Sequence, residues 1–331
     1  MPHIPALHDA YQAQARIKPL IWQTPVIASP VLAEKTGAAQ IHLKLECLQK
    51  TGSFKVRGAA NKILSLSGEE RKKGVITFST GNHGKAVAYV AGQAGLKSVV
   101  CLSEHVAAYR VAMIKALGAE VSLKGHSQDE AEKNYQLLMA SRGLVPVVPF
   151  DDPKIIAGQG TIALEILSKL PDTDVLVIQL SGGGLLAGMA MVAKSINPRI
   201  HVVGLSLEQS PAMLESLKAG RPVQVPEKDS LADSLLGGIG FDNQYTLPMV
   251  EKFADEHLLI SENEIKDGMF HIFDKHRLIV EGGAAVGIAA LLNQKINVKG
   301  KKVVALLSGS TINADEYIRI IQGRLPRGAK Q

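Results

Sequence analysis

The sequence predicts an α/β protein of two lobes, with parallel-rich sheets flanked by helices, and three observations carry that reading. Short β-branched runs alternate with helix-length apolar patterns through most of the 331 residues. Two glycine-rich stretches, STGNHG from Ser79 and SGGGLLAG from Ser181, each stand between such a run and a helical pattern. A polar break at Asp151-Asp152-Pro153 separates the first group of runs from the rest.

Taken in order, Ala6 to Ile17 has helical spacing, and Pro19 stops it before an extended stretch through Thr24-Pro25. Ile41 to Leu45 reads as a strand. The turn KTGSFKVRGA (50–59) follows, then a helix over Val56 to Leu66 that Ser67-Gly68 breaks. Further strands are predicted at Val75 to Phe78, Ser98 to Leu102, Glu120 to Leu123, Val145 to Val148, Val175 to Leu180, His201 to Leu207 and Lys302 to Leu307. Helices are predicted between them at Lys85 to Ala94, Ala107 to Leu117, Gln128 to Ala140 and Gly158 to Leu170. Residues 76–152 read as a small mobile lobe, and residues 1–75 with 153–331 as the large one.

The composition, 46% hydrophobic with a net charge of +6, is that of a soluble globular protein. Its basic residues are scattered, and 4% aromatic content offers few stacking platforms, which argues against nucleic acid as a partner. Two cysteines without metal-ligand spacing point to a reducing compartment and no metal site. No apolar run suits a signal peptide or a membrane span, so a cytoplasmic location is expected.

Four loops carry chemistry. SGGGLLAG lies between a strand and a helix, where glycine amides and the helix N-terminus form a phosphate cradle. Gly182, Gly184 and Ala187 also match a dinucleotide fingerprint, but Ser206 stands where a ribose-binding acid belongs, so a single phosphate fits better. The plain alternative is a tight strand-to-helix turn. STGNHG crowds hydroxyl, amide and imidazole donors at a helix start and suits a carboxylate, although His83 read alone is equally a structural histidine. SGSTIN offers Ser308 as an uncharged hydrogen-bonding group or as an ordinary helix cap. Lys55 completes the set: an amine, a phosphate cradle, a carboxylate cradle and a neutral serine together describe a site for pyridoxal phosphate held on lysine as a Schiff base.

Five motifs in order, KLECLQKTGSFKVRGA, STGNHG, FDDPKIIAGQGTIALEIL, SGGGLLAG and VEGGAAVGIAAL, make the chain resemble the fold-type II pyridoxal-phosphate enzymes, in particular the serine/threonine dehydratase and serine racemase group. The resemblance runs from Thr24-Pro25 to the Ser308 loop. It implies that Lys55 is the Schiff-base lysine, that Phe54 packs beside the ring, and that Asn82 meets the ring hydroxyl. It further implies that Gly182, Gly183, Gly184 and Leu185 cradle the phosphate, that Ser308 meets the pyridine nitrogen, and that Ser79, Thr80, Gly81 and His83 hold the substrate carboxylate.

The implied reaction is β-elimination from a hydroxy amino acid such as threonine or serine, giving a 2-oxo acid and ammonia, with Lys55 as the base for the α-proton. A racemase on the same scaffold and a non-catalytic ligand-binding protein are the competing readings. Thr80 stands where racemases of the group have a serine. Ser206 stands where some members have a metal-binding glutamate, and Cys47 replaces a common asparagine. LSLEQSPAMLESLKAGRPV and LADSLLGGIGFDN resemble dehydratases of hydroxyectoine utilisation. A homodimer is expected, and with the chain ending at Gln331, no C-terminal regulatory domain.

Overall fold

The computed structural model describes residues 3–79, 81–126 and 128–325; Thr80 lies outside the described residues. Among the described residues, ten strands form two sheets: β1 (Val26–Ala28), β2 (Gln40–Leu45), β3 (Val75–Phe78), β4 (Ser98–Leu102), β5 (Glu120–Leu123), β6 (Val145–Pro146), β7 (Val175–Gln179), β8 (His201–Leu207), β9 (Glu256–Ile260) and β10 (Lys302–Leu307). The six-stranded sheet runs in the order β1-β2-β10-β7-β8-β9, and the four-stranded sheet in the order β5-β4-β3-β6. Every pairing is parallel except β1 with β2.

Parallel strands covered on both faces are apolar throughout. All five residues of β7 are buried. Their alternation sends Val175 and Val177 into a core with the helix Gly282–Leu292, and Leu176 and Ile178 into one with the helices Pro153–Lys169 and Gly184–Ile196. The four-stranded sheet has smaller cores, Ile76, Val99 and Cys101 on one face and Val100 and Leu102 on the other. Parallel order puts the carboxyl ends of β3, β7 and β10 at the sheet edges from which ligand-binding loops of such folds emerge.

Several elements begin earlier or end sooner than periodicity predicts. The lysine turn gives way to helix at Lys55 itself, and that helix ends at Leu64. The STGNHG helix begins at Asn82, which places Asn82 and His83 in its first turn. The long buried helix starts at Pro153, where the Asp152 carboxylate caps the amides of Lys154 and Ile155 at 2.7 and 3.1 Å. The strand expected through Val148 ends at Pro146, although the Val147 amide still reaches Ile76 O at 2.9 Å. β1 has three residues and β9 opens with Glu256 and His257, so neither shows a readable alternation.

Candidate active site

The segment TGSFK turns at Gly52, whose φ of 75° is the left-handed region glycine accepts without strain. The turn is stitched to the loop after β10: Phe54 N donates to Ser308 O at 3.0 Å, Ser310 N to Gly52 O at 2.9 Å, and Ser53 bridges Gly309. Lys55 is thereby fixed at the first position of its helix. Its Nζ donates to Pro149 O at 2.9 Å and lies 5.3 Å from the centre of the Phe54 ring. Burial lowers its pKa to about 8, with Glu281 pulling the other way.

One turn of helix holds both the amine and its anchor. Arg57, two residues after Lys55 and fully buried, bonds Glu46 through Nε and Nη2, both at 2.8 Å, and Glu165 through Nη1 and Nη2 at 2.7 and 2.9 Å. Lys44 closes the cluster on Glu165. Two cations and two carboxylates cancel, and forked bonds satisfy them in a site that excludes water.

Residues 147–150 draw the other loops to the lysine. Val147 O bonds His83 Nε2 at 2.9 Å, and Pro149 O takes the Lys55 amine. Phe150 lies so close to the glycine loop that a Cβ on Gly182 would stand 2.3 Å from its ring. Gly183 has a φ of 88°, so the loop tolerates no ordinary side chain there. The helix Gly184–Ile196 starts at this point with no side-chain cap, although Gly182, Gly183, Gly184 and Leu185 are all buried. A buried, uncapped helix N-terminus has free amides that call for an anion.

Asn82 and His83 are buried in the first turn of their helix. Asn82 Nδ2 donates to both oxygens of Glu281, at 2.8 and 3.0 Å. Burial, then the charge of Lys55, lowers the His83 pKa to about 3, so the ring is neutral. Ser79 closes its own loop, accepting from Gly81 N at 3.4 Å. Ser308 is buried at the end of β10, and the cap of the following helix is Asn313, which accepts from the amides of Asp315 and Glu316. The cap reading of Ser308 is therefore set aside. Thr80 again falls outside the described residues.

Glu281 is the residue that sequence reasoning missed. It accepts from Asn82 and from Thr311 N at 3.0 Å, and burial raises its pKa to about 6. The signal was present: a single acid before two glycines in the otherwise apolar VEGGAAVGIAAL is a charge that has to be buried with a purpose. Among the described residues, no group of three or more His, Cys, Asp and Glu side chains could hold a metal ion. No helix among them is long and apolar enough to cross a membrane.

Asn82 Oδ1, His83 Nδ1 and Ser53 Oγ are buried without a protein partner. These orphaned atoms, an amine of lowered pKa and a helix N-terminus set for an anion together fit a phosphate-bearing aldehyde. The fold and site thus fit an enzyme that works through an organic cofactor. A family model described as pyridoxal-phosphate dependent enzyme matches residues 17–309, and the chain belongs to that family.

The chain is 41% identical to the L-threonine ammonia-lyase of Thermotoga maritima, over 98% of this chain and 80% of that protein. It is 37% identical to the catabolic L-threonine dehydratase of Staphylococcus aureus, over 97% of this chain and 93% of that one. Maize serine racemase superposes with a TM-score of 0.90 at 30% identity, covering 98% of both chains.

Proposed function

We propose that the protein is an ammonia-lyase that dehydrates a β-hydroxy amino acid, threonine or serine in the first place, to a 2-oxo acid and ammonia. The observation that carries the reading is the Lys55 amine, its pKa lowered to about 8 by burial, at the junction of the glycine loop, the Asn82–His83 turn and the Ser308 loop. The full-length relatives named for threonine support the substrate class.

When bound, pyridoxal phosphate supplies an aldehyde for amines and a ring that takes up the electron pair left at the substrate's α-carbon. Lys55 would hold the cofactor through its aldehyde, and the Lys55 amine, when free, would take the α-proton. A pKa near 8 leaves a usable fraction of neutral amine at neutral pH, which an ordinary lysine does not provide. Gly182, Gly183, Gly184 and Leu185 bind the phosphate through amides, with Phe54 beside the ring. Asn82 meets the ring hydroxyl, and Ser79, Thr80, Gly81 and His83 orient the substrate carboxylate.

Ser308 would meet the pyridine nitrogen as a neutral hydroxyl. A neutral hydroxyl there would not hold that nitrogen protonated, which favours elimination: the α-proton goes to the Lys55 amine, the Cβ–O bond breaks, and the departing hydroxide takes up one proton to leave as water. The product then hydrolyses to the 2-oxo acid and ammonia. This distinguishes the lyase reading from racemisation, which needs a proton returned from the opposite face.

In this reading residues 76–152 are the small lobe that closes on substrate, and the enzyme is a cytoplasmic homodimer. Purified protein given threonine, serine and a hydroxyectoine-derived hydroxy amino acid in turn should release ammonia from at least one of them. Interconversion of enantiomers without ammonia would replace the lyase reading with a racemase.

A further inference from the structure

Two glycines open the helix Gly282–Leu292 directly after Glu281. A Cβ on Gly282 would stand 2.2 Å from Leu231 O, and one on Gly283 would stand 2.3 Å from Ser234 Oγ. The pair admits a neighbouring turn, the 3-10 segment Asp233–Leu235, against the Glu281 carboxylate. The Ser234 hydroxyl packs at Gly283, next to that carboxylate; burial raises the carboxyl's pKa, and the hydroxyl works in the lowering direction. Ala232 and Leu235, both buried, plug the turn into the core beneath the six-stranded sheet.

Asp233, next to Ala232, faces the other way. Asp233 accepts from Arg110 Nη2 at 2.9 Å. Arg110 lies on the helix Ala108–Ala116, whose Ile114 and Val111 pack with Val100 and Leu102 of the four-stranded sheet. Hydrogen bonds thus join the cover of the smaller sheet to Asp233, and Glu281 to Asn82 and Thr311 N; between the two, the turn with Ser234 packs on the Gly282-Gly283 pair that follows Glu281. Glu281 touches the loops that the β3 and β10 ends contribute to the site.

We propose that Arg110 is a positioning residue for the reaction: by holding Asp233 it keeps Ser234 on Glu281, and Glu281 then fixes the Asn82 amide and the Gly309–Thr311 loop beside Lys55. The pair itself contributes little to stability. Its side chains are 23% and 50% exposed, and ion pairs that exposed are screened by water. Its effect is on where Glu281 sits. The kinetic consequence rests on the dehydratase reading; the structural consequence does not.

Amide hydrogen exchange on the holoenzyme tests it, with Arg110→Ala, Arg110→Lys and the charge swap Arg110→Asp with Asp233→Arg. Arg110→Ala is expected to speed exchange roughly fivefold in residues 231–235, 281–284 and 309–311, the swap and Arg110→Lys restoring much of the protection. The melting temperature should stay within a few degrees, and KM for the amino acid should rise more than kcat falls. Faster exchange confined to residues 106–116, or unchanged exchange at 281–284 and 309–311, overturns the inference. Exchange that responds as expected in an enzyme without dehydratase activity upholds the inference and removes the proposed reaction instead.

Discussion

Asn82 Nδ2 lies 2.8 Å from one oxygen of Glu281 and 3.0 Å from the other, which ties the first turn after β3 to a carboxylate at the start of the helix Gly282–Leu292, packed on the six-stranded sheet. The bond leaves Asn82 Oδ1 buried and without a protein partner. Glu281 is thus a support for the candidate site as well as a buried charge.

That charge has a measurable cost. Burial first, and Asp233 in the same direction, raise the Glu281 pKa from 4.5 to about 6, against the bond from Asn82. The folded protein therefore holds a proton that the unfolded chain has released between pH 4.5 and 6, and stability falls as pH rises through that window. Relative to wild type, Glu281→Gln apoenzyme should gain about 2 kcal/mol on going from pH 4.5 to above 6 in urea unfolding. A difference that does not change with pH contradicts the assignment.

His83 acts with the opposite sign. Burial and the nearby Lys55 depress its pKa from 6.5 to about 3, so the unfolded chain takes up a proton that the folded one refuses. Its contribution is fully present above pH 6.5 and is lost as pH falls toward 3. His83→Asn should be less acid-sensitive than wild type, measured as the change in urea midpoint between pH 7.5 and 5. An unaltered change in midpoint would show that His83 is not buried neutral.

Arg57 anchors the lysine helix. Replacing it with alanine leaves Glu46 and Glu165 facing each other unneutralised apart from Lys44, at a cost of about 3–5 kcal/mol in unfolding free energy. Destabilisation below about 1 kcal/mol would mean that the cluster is hydrated or rearranges, since only exposed pairs are worth so little.

Much of this arrangement was legible in the residues. Short β-branched runs gave the strands of both sheets because parallel strands buried on two faces are apolar without interruption, as β7 is. The glycine loop, the Asn82–His83 turn and Lys55 were found because anion binding and helix starts demand particular residue types at particular places. Glu281 was not found, because its role depends on a partner 199 residues away. Arg110 and Asp233 were not singled out for the same reason: nothing local in the sequence says that one meets the other. β1 and β9 were missed because one is too short for a period and the other begins with polar residues.

The Lys55 amine should also differ from every surface lysine in its reactivity. With a pKa of about 8 set by burial, the rate at which apoenzyme takes up pyridoxal 5'-phosphate should rise through pH 8 and level off by about pH 9. A rate that keeps climbing past pH 10 indicates an unperturbed amine.

The most direct measurement is borohydride reduction of the holoenzyme followed by peptide mapping. The account predicts a single phosphopyridoxyl group on the peptide containing Lys55, and neither that group nor the bound-cofactor absorbance in Lys55→Ala. A label on any other lysine, or undiminished labelling of Lys55→Ala, would contradict it.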